Sequence, residues 1–412
     1  MSEKKITSYP KDKIKVLLLE NVHASAVEKF KLAGYKNITH LKRAIDEQEL
    51  TKAIRDVHLL GIRSKTQVSK SVLDAANKLQ AIGCFCIGTN QVNMQQATSR
   101  GVAVFNAPYS NTRSVAELVI GAAIILTRKV LDKNKAAHEG FWFKQSDGSH
   151  ELRGKTLGIV GYGNIGSQLS VLAEALGMKV VYHDVEAKLP MGNAVLCNSL
   201  KTLLQLSDIV SLHVPELPTT KNLIGHTQLK WMKSTSVLIN YSRGEVVDLN
   251  ELGNALKTKK ISGAAIDVFP VEPEKNGDVF SSPLQGLSNV LLTPHVGGST
   301  EEAQHHIGLD VSEKMLQFLE TGNTYGSLTV PALLMPPQAG THRILHIHKN
   351  VPGVLSQINQ TLSEYNLNIL GQYLKTNEQI GYAVLDVHRK VTRELMQRLQ
   401  SGKDAIKVRL LY

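Results

Sequence analysis

The stretch Thr156-Leu-Gly-Ile-Val-Gly-Tyr-Gly-Asn-Ile-Gly166 constrains this chain more than any other. The apolar run from Leu157 to Val160 breaks at Gly161-x-Gly163-x-x-Gly166, and a helical pattern from Gln168 to Leu176 follows at once. A strand, a tight glycine turn and a helix N-terminus bring bare N–H groups and the positive end of a helix dipole to one point, a cradle for a phosphate. A glycine motif alone is weak. Here a second apolar strand, Lys179-Val-Val-Tyr-His-Asp184, ends in a carboxylate eighteen residues after the last glycine. A dinucleotide fold places its acceptor for the adenosine ribose hydroxyls there. The same carboxylate repels the extra phosphate of NADP, and no arginine follows closely to reverse the preference, although Lys188 lies four residues on. The expected cofactor is NAD.

At 412 residues the chain has room for two or three domains. No apolar run approaches the roughly 18 residues that span a membrane, and the polar, basic start has no secretory core. Three cysteines (Cys84, Cys86 and Cys197) are too few for a disulfide framework and suit a reducing cytoplasm. Cys84 and Cys86 alternate on an apparent strand and are expected as a buried structural pair. The net charge of +11 is spread along the chain with no basic tail or recognition motif, so no nucleic-acid partner is expected.

Short apolar strands alternate with helical segments over the first hundred residues, the pattern of a parallel α/β domain. The segment from Ser114 to Val130 reads as one long apolar helix. A second α/β series starts at Leu157 and closes with two helical stretches ending near Gly322. Residues 331–340 carry three prolines and read as a linker. Beyond them a βαββαβ order predicts a ferredoxin-like module. The expected fold class is therefore α/β: two doubly wound parallel-sheet domains, one of Rossmann type, plus this C-terminal module.

Three polar residues stand at strand ends in the second series. Arg243 follows Val-Leu-Ile-Asn-Tyr-Ser, Glu272 follows Asp267-Val-Phe-Pro-Val, and His295 follows Leu-Leu-Thr-Pro. Ligands of open α/β sheets bind at the carboxyl ends of strands, so the three can converge. An arginine fork binds a carboxylate, a histidine exchanges a hydroxyl proton near neutral pH, and a glutamate orients its ring. That chemistry suits hydride transfer on a 2-hydroxy acid, although by spacing alone each could be an ordinary loop residue.

Several segments now support a resemblance. Gly161-Tyr-Gly-Asn-Ile-Gly166, Ser207-Asp-Ile-Val-Ser-Leu-His-Val-Pro215, Asn240-Tyr-Ser-Arg-Gly244, Gly263-Ala-Ala-Ile-Asp-Val-Phe269 and Thr293-Pro-His-Val-Gly-Gly298 resemble the D-2-hydroxyacid dehydrogenases. Ala81-Ile-Gly-Cys-Phe-Cys-Ile-Gly-Thr-Asn-Gln91 and Phe105-Asn-Ala-Pro-Tyr-Ser-Asn-Thr-Arg-Ser-Val-Ala-Glu117 are similar to the family's bacterial 3-phosphoglycerate-oxidising branch. The resemblance implies Arg243 for substrate binding, His295 as acid/base and Glu272 as its partner. It implies that Gly161, Gly163, Asn164, Ile165, Gly166, Asp184, Tyr241, Ser242, Arg243, Asp267, His295, Gly297 and Gly298 line the NAD site. Tyr241 departs from the small residue usual there. Arg63, Ser64, Asn111 and Gln304 are implied at the substrate phosphate, where Arg63 by itself is only a charged residue after a strand. The implied domains are 1–107 with 299–338 (substrate-binding), 108–298 (NAD-binding) and 341–412, with substrate and cofactor in the cleft between the first two.

The C-terminal module resembles an ACT domain, a small-molecule sensor that pairs edge to edge between subunits. The resemblance implies L-serine as allosteric effector, held by His348, Asn350 and Asn368, and a homo-oligomer, expected as a tetramer. His346-x-His348 could suggest a metal, but no third ligand is evident and none is expected. Related chains have paired glycines where this one has Ala339-Gly340. The expected activity is NAD-dependent oxidation of 3-phospho-D-glycerate, opening serine synthesis, with 2-oxoglutarate reduction as a side activity. The rivals are a dehydrogenase for another D-2-hydroxy acid and an NAD-sensing corepressor, which the sensor-like tail disfavours.

Overall fold

The computed structural model describes residues 9–273, 277–336 and 340–411. Contacts divide the chain into two units, Met1–Ser110 with Gln304–Tyr412, and Asn111–Ala303.

In the first unit, β1 (Lys15–Leu18), β2 (Asn37–His40), β3 (Leu59–Ile62), β4 (Ala81–Cys84) and β5 (Ala103–Asn106) form a parallel sheet in the order β2-β1-β3-β4-β5. The inner strands are short unbroken apolar runs because helices cover both faces. β2 is an exposed edge of mixed polarity, and its sequence carries no strand signal. Cys84 is buried on β4 and Cys86 lies beyond the strand end, half-buried, its thiol donating to Gly88 O. Both are free cysteines, and Cys84 is buried as expected, whereas Cys86 lies past the strand and is only half-buried, which corrects that half of the expected buried pair.

The second unit holds β6 (Thr156–Val160), β7 (Lys179–His183), β8 (Val195–Leu196), β9 (Ile209–Leu212), β10 (Val237–Asn240), β11 (Gly263–Ile266) and β12 (Val290–Leu292). They form one parallel sheet in the order β12-β11-β10-β9-β6-β7-β8. The chain runs outward one way from β6 through β7 and β8, then returns to β9 on the other side. The glycine turn after β6 therefore sits at the switch point of the sheet, where such folds open a crevice. The long apolar helix α1 (Thr112–Thr127) packs its small face of Ala116, Val119 and Ala123 in the core beneath this sheet. It ends earlier than the hydropathy predicts: Lys129 has a φ of 51° and starts a separate polar helix, Val130–His138. The cradle helix α2 spans Asn164–Ala175.

The two helical stretches expected before Gly322 are one helix, α3 (Glu301–Thr321). After it, residues 331–336 are no loose linker. Thr324 Oγ1 donates to Pro331 O at 2.7 Å and accepts from Leu333 N at 2.8 Å, and buried Met335 donates its N–H to Asn323 Oδ1 at 2.9 Å. Of the anticipated Ala339-Gly340 hinge, Ala339 lies outside the described residues and Gly340 has a φ of 75°.

The C-terminal module follows the expected order: β13 (His342–Lys349), α4 (Val354–Glu364), β14 (Ile369–Thr376), β15 (Ile380–Val387), α5 (Arg393–Gln400) and β16 (Ala405–Leu411). Its antiparallel sheet runs β14-β15-β13-β16. Residues two apart on a strand share a face, and here both faces are apolar. Ile344, Ala383 and Leu385 pack on α4 and α5 with Ile358 and Leu395. Leu345, Ile347, Tyr382 and Val384 instead join a core with Phe30, Phe105, Met315 and Phe318 of the preceding α/β domain. Arg409 stacks on Phe318 and donates to Leu319 O, and Tyr382 Oη donates to Gly322 O at 2.6 Å. The module is thus built into the first unit. Among the described residues, no helix is long and apolar enough to cross a membrane.

Candidate active site

The carboxyl ends of β6, β7, β10, β11 and β12 carry the anticipated nucleotide residues and Arg243, Glu272 and His295 on one rim, whereas Asn111 stands at the start of α1. At the end of β6, Gly161 takes a φ of 90°, and a Cβ there would lie 2.4 Å from His213 O. A Cβ on Gly166 would lie 2.3 Å from Gly161 O, so the turn and helix α2 approach closer than any side chain allows. Gly163 caps α2, and a Cβ there would meet nothing within 4 Å. The turn is shut on its protein side and open on the other, with Asn164 and Ile165 opening the helix. This geometry fits a pyrophosphate.

Asp184 follows β7. Its Oδ2 accepts from Tyr162 N at 2.7 Å and its Oδ1 from Glu186 N at 2.9 Å. Backbone amides thus aim the carboxylate beside the cradle, and each oxygen keeps lone-pair capacity for a ribose hydroxyl. Lys188 pairs with Glu186 rather than with Asp184. His213, after β9, is a neighbour that the motif reading left without a role. Burial pushes its imidazole down to about 3, so it stands neutral beside the turn, bonded to Ser211 Oγ at 2.8 Å.

The turn after β10 is organised by buried Asn240. Its Oδ1 accepts from Ser242 N and Oγ, and its Nδ2 donates to Arg243 O at 2.9 Å. Tyr241 sends its ring down into the core beside Val115 and Ala265, and burial raises its hydroxyl to about 12. The side chain therefore faces away from any cofactor, which leaves its backbone at the rim. Gly244 lets this turn touch the next one, since a Cβ there would lie 2.1 Å from the carbonyl carbon of Phe269. The loop bearing Arg243 is thereby pressed onto the loop bearing Glu272.

His295 Nδ1 lies 2.8 Å from Glu272 Oε2 and 3.1 Å from Oε1. Glu272 also accepts from Phe269 N at 3.1 Å. That hydrogen bond to Glu272 raises the His295 pKa above the ordinary imidazole value, against burial and Arg243, which lower it. Partial burial would raise the Glu272 carboxyl, but His295, the Phe269 amide and the Arg243 charge together hold it below its usual range. With Nδ1 on the carboxylate, Nε2 is the nitrogen left to exchange a proton with a ligand.

His295 has a φ of 54°, a backbone state uncommon outside glycine. Buried Asp267 holds it there. Its carboxylate accepts from Thr293 Oγ1 at 2.6 Å and from Val296 N and Gly297 N at 2.8 Å each, while Asp267 O accepts from His295 N at 2.8 Å. The anticipated cofactor residue Asp267 thus has visible work in fixing the proton-exchanging loop. Gly298 packs against the Asn111 amide, where a Cβ would lie 2.1 Å from Asn111 Nδ2.

In the first unit, Arg63 and Ser64 begin the loop after β3, and Gln304 lies on α3. The loop wraps the buried carboxylate of Glu20, which accepts from Arg63 N, Lys65 N and Thr66 N at 3.1, 2.9 and 2.8 Å. Gln91 Nε2 donates to Arg63 O at 2.6 Å. Glu20 and Gln91, from distant parts of the chain, fix the shape of the loop that carries Arg63 and Ser64.

The D-isomer specific 2-hydroxyacid dehydrogenase NAD binding domain matches residues 120–297, and an AHAS small subunit-like ACT domain matches 344–407. A D-3-phosphoglycerate dehydrogenase of Haemophilus influenzae is 51% identical over 405 residues, covering 98% of this chain and 99% of its own length. The chain belongs to the D-2-hydroxyacid dehydrogenase family, in its D-3-phosphoglycerate dehydrogenase branch. The Escherichia coli K12 enzyme of the same name is also 51% identical, over 407 residues with the same two coverages. A crystal structure of a D-isomer specific 2-hydroxyacid dehydrogenase from Lactobacillus delbrueckii, in its NAD-complexed form, superposes with a TM-score of 0.67 at 26% identity, covering 76% of this chain and 99% of that one. As a family member the chain is an NAD-dependent oxidoreductase, and the cradle, Asp184 and the 240–243 turn are the parts of it that fit NAD.

Proposed function

We propose that this chain oxidises 3-phospho-D-glycerate to 3-phosphohydroxypyruvate, the opening step of L-serine synthesis. The observation that carries the reading is the 2.8 Å contact of His295 Nδ1 with Glu272, made where Arg243 is near enough to influence both. NAD, when bound, accepts the hydride from C2. The Arg243 guanidinium grips the substrate carboxylate and polarises the C2 oxygen. His295 Nε2 takes the C2 hydroxyl proton, and the carboxylate of Glu272 steadies the imidazolium that results. Arg63, with Ser64, Asn111 and Gln304, is assigned to the phosphate. We assign 1–107 with 299–338 to substrate binding, 108–298 to NAD and 341–412 to regulation. The same grip on a 2-oxo acid extends to 2-oxoglutarate as a side substrate. A cytoplasmic location is supported by the free thiols Cys84, Cys86 and Cys197.

With NAD saturating, kcat/KM for 3-phospho-D-glycerate is expected to exceed that for D-glycerate or D-lactate by at least about 10²-fold, since the arginine on the phosphate has no partner in the smaller acids. Steady-state assays on the three acids decide this. Equal turnover of an unphosphorylated acid would remove the substrate assignment.

Serine is the proposed inhibitor, and the geometry supports a site shared between copies. His348 and Asn350 lie at one end of β13, whereas Asn368 precedes β14 at the opposite end of the sheet, because Ile369 and His342 both register with Val387. Seven residues of strand, about 23 Å, separate the two ends, so the three cannot hold one serine within a chain. A second module pairing antiparallel along the unpaired edge of β14 would bring its own Asn368 to the His348 end. Leu370 and Leu374 on that edge are exposed, as a strand awaiting a partner would leave them. This supports a homo-oligomer, which we read as a tetramer. Asn368→Ala is expected to raise the serine concentration for half-inhibition by about tenfold, the loss of one amide's hydrogen bonds. The assignment fails if wild-type turnover ignores millimolar serine or if the variant is inhibited as strongly as wild type.

A further inference from the structure

The helix-covered side of the C-terminal module encloses a cavity of about 250 Å³ between α4 and α5. His346 lines it from β13, with Gln357, Thr361 and Glu364 from α4, Arg398 from α5 and Asp404 from the turn after it. His346 is the unusual member. Strand positions 344, 346 and 348 share the helix-facing side, and where Ile344 is apolar core, position 346 sets an imidazole under the helices at 2% exposure. Its Nδ1 is buried and has no partner. Burial and the neighbouring His348 push the ring down to about 4, so it is neutral near pH 7. In the neutral ring, the tautomer with its proton on Nε2 makes Nδ1 a bare acceptor. A buried acceptor of that kind calls for a donor.

The charges around the mouth arrange themselves to suit one. Glu364 and Asp404 are the anions. Glu364 accepts from Gln360 Nε2 at 3.0 Å, and Asp404 lies 3.7 Å from Lys349 Nζ, a long contact. Arg398 is exposed and carries no ion pair among the described residues. A ligand with an ammonium toward His346, Glu364 and Asp404, and a carboxylate toward Arg398, would satisfy all four groups. The volume is below the usual range for drug-sized ligands, which limits the occupant to a small molecule.

We propose that the cleft between α4 and α5 is a second small-molecule site on this module, separate from His348, Asn350 and Asn368, and that it takes a small zwitterion by its ammonium and carboxylate. The site lies wholly within one chain. It depends neither on the substrate assignment nor on the serine assignment.

The test is isothermal titration of the full-length protein with glycine, the smallest such zwitterion, with acetate and methylamine as single-charge comparisons. Glycine is expected to bind more tightly than either, and to do so in the Asn368→Ala variant as in wild type. Arg398→Gln and His346→Leu are each expected to weaken glycine at least about tenfold, the loss of one charge-assisted or buried hydrogen bond. Arg398 lies on the exposed rim, so its variant keeps the test valid should His346→Leu fail to fold. No glycine binding up to tens of millimolar, binding abolished by Asn368→Ala, or binding unmoved by Arg398→Gln would each overturn the proposal.

Discussion

Replacing His295 with alanine is expected to lower kcat by about 10²–10⁴-fold in both directions, with NADH still bound as judged by its fluorescence. In the proposed reaction the residue carries the proton that leaves the C2 hydroxyl, and its backbone is held by Asp267 independently of the ring. Glu272→Gln is the more informative companion. The Glu272 hydrogen bond is the largest cause of the raised His295 pKa, so removing the carboxylate lets that pKa fall. Oxidation needs the neutral ring, and its rate declines as pH drops through the His295 pKa. The acid limb of the oxidative profile should therefore move to lower pH in Glu272→Gln. Reduction needs the imidazolium, and its alkaline limb should move to lower pH as well. A His295→Ala enzyme with wild-type kcat, or a Glu272→Gln profile that does not move, would separate this pair from the chemistry.

The largest expected effect on stability lies in the C-terminal module. Arg343 and Asp386 are both 0% exposed and form a bidentate pair across β13 and β15 at 2.7 and 2.8 Å. Arg343 also donates to Thr321 O at the end of α3 and to Pro336 O in the strap before the module. One guanidinium thus ties the module to the helix and the segment that precede it. Asp386→Ala leaves a buried cation without its carboxylate and should destabilise by about 3–5 kcal/mol. Replacing both residues with methionine and leucine should cost much less, since no charge is then left unpaired. Denaturant unfolding of the single and double variants checks this. Equal losses in both would mean that shape, and not charge pairing, dominates at this junction.

Local pattern made the dinucleotide fold legible, because its demands are local. The turn at Gly161 needs a positive φ, the phosphate needs open space at Gly163, and Asp184 needs only a strand to carry it. Each requirement is met by residues close in sequence, and the βαββαβ order of the last seventy or so residues was readable for the same reason. Arg243, Glu272 and His295 were legible as strand-end residues, since parallel strands of one sheet must bring their carboxyl ends together. What holds them was not. Asn240 acts through the shape of a buried turn, Gly244 through its contact with Phe269, and Asp267 through amides some thirty residues away.

Pairing and burial between distant segments were decided by the tertiary structure alone. Hydropathy ran α1 on to Val130, where a left-handed Lys129 ends it, and divided a continuous α3 in two, because helix ends depend on what the neighbours cover. Prolines at 331–340 suggested a linker, yet Thr324 and Asn323 bind the described part of it as a strap. That both faces of β13 are buried, one against α4 and α5 and the other against Phe105 and Phe318, was decided by the structure. His348, Asn350 and Asn368 were expected around a serine bound across two paired modules, and strand register, which sets Asn368 at the opposite end of the sheet from the other two, supplies the physical reason. By itself the sequence determined the cofactor class and the module order and marked Arg243, Glu272 and His295 as candidates, all from short-range pattern. Which groups meet, and which need a second copy to meet, depends on contacts that no local pattern encodes.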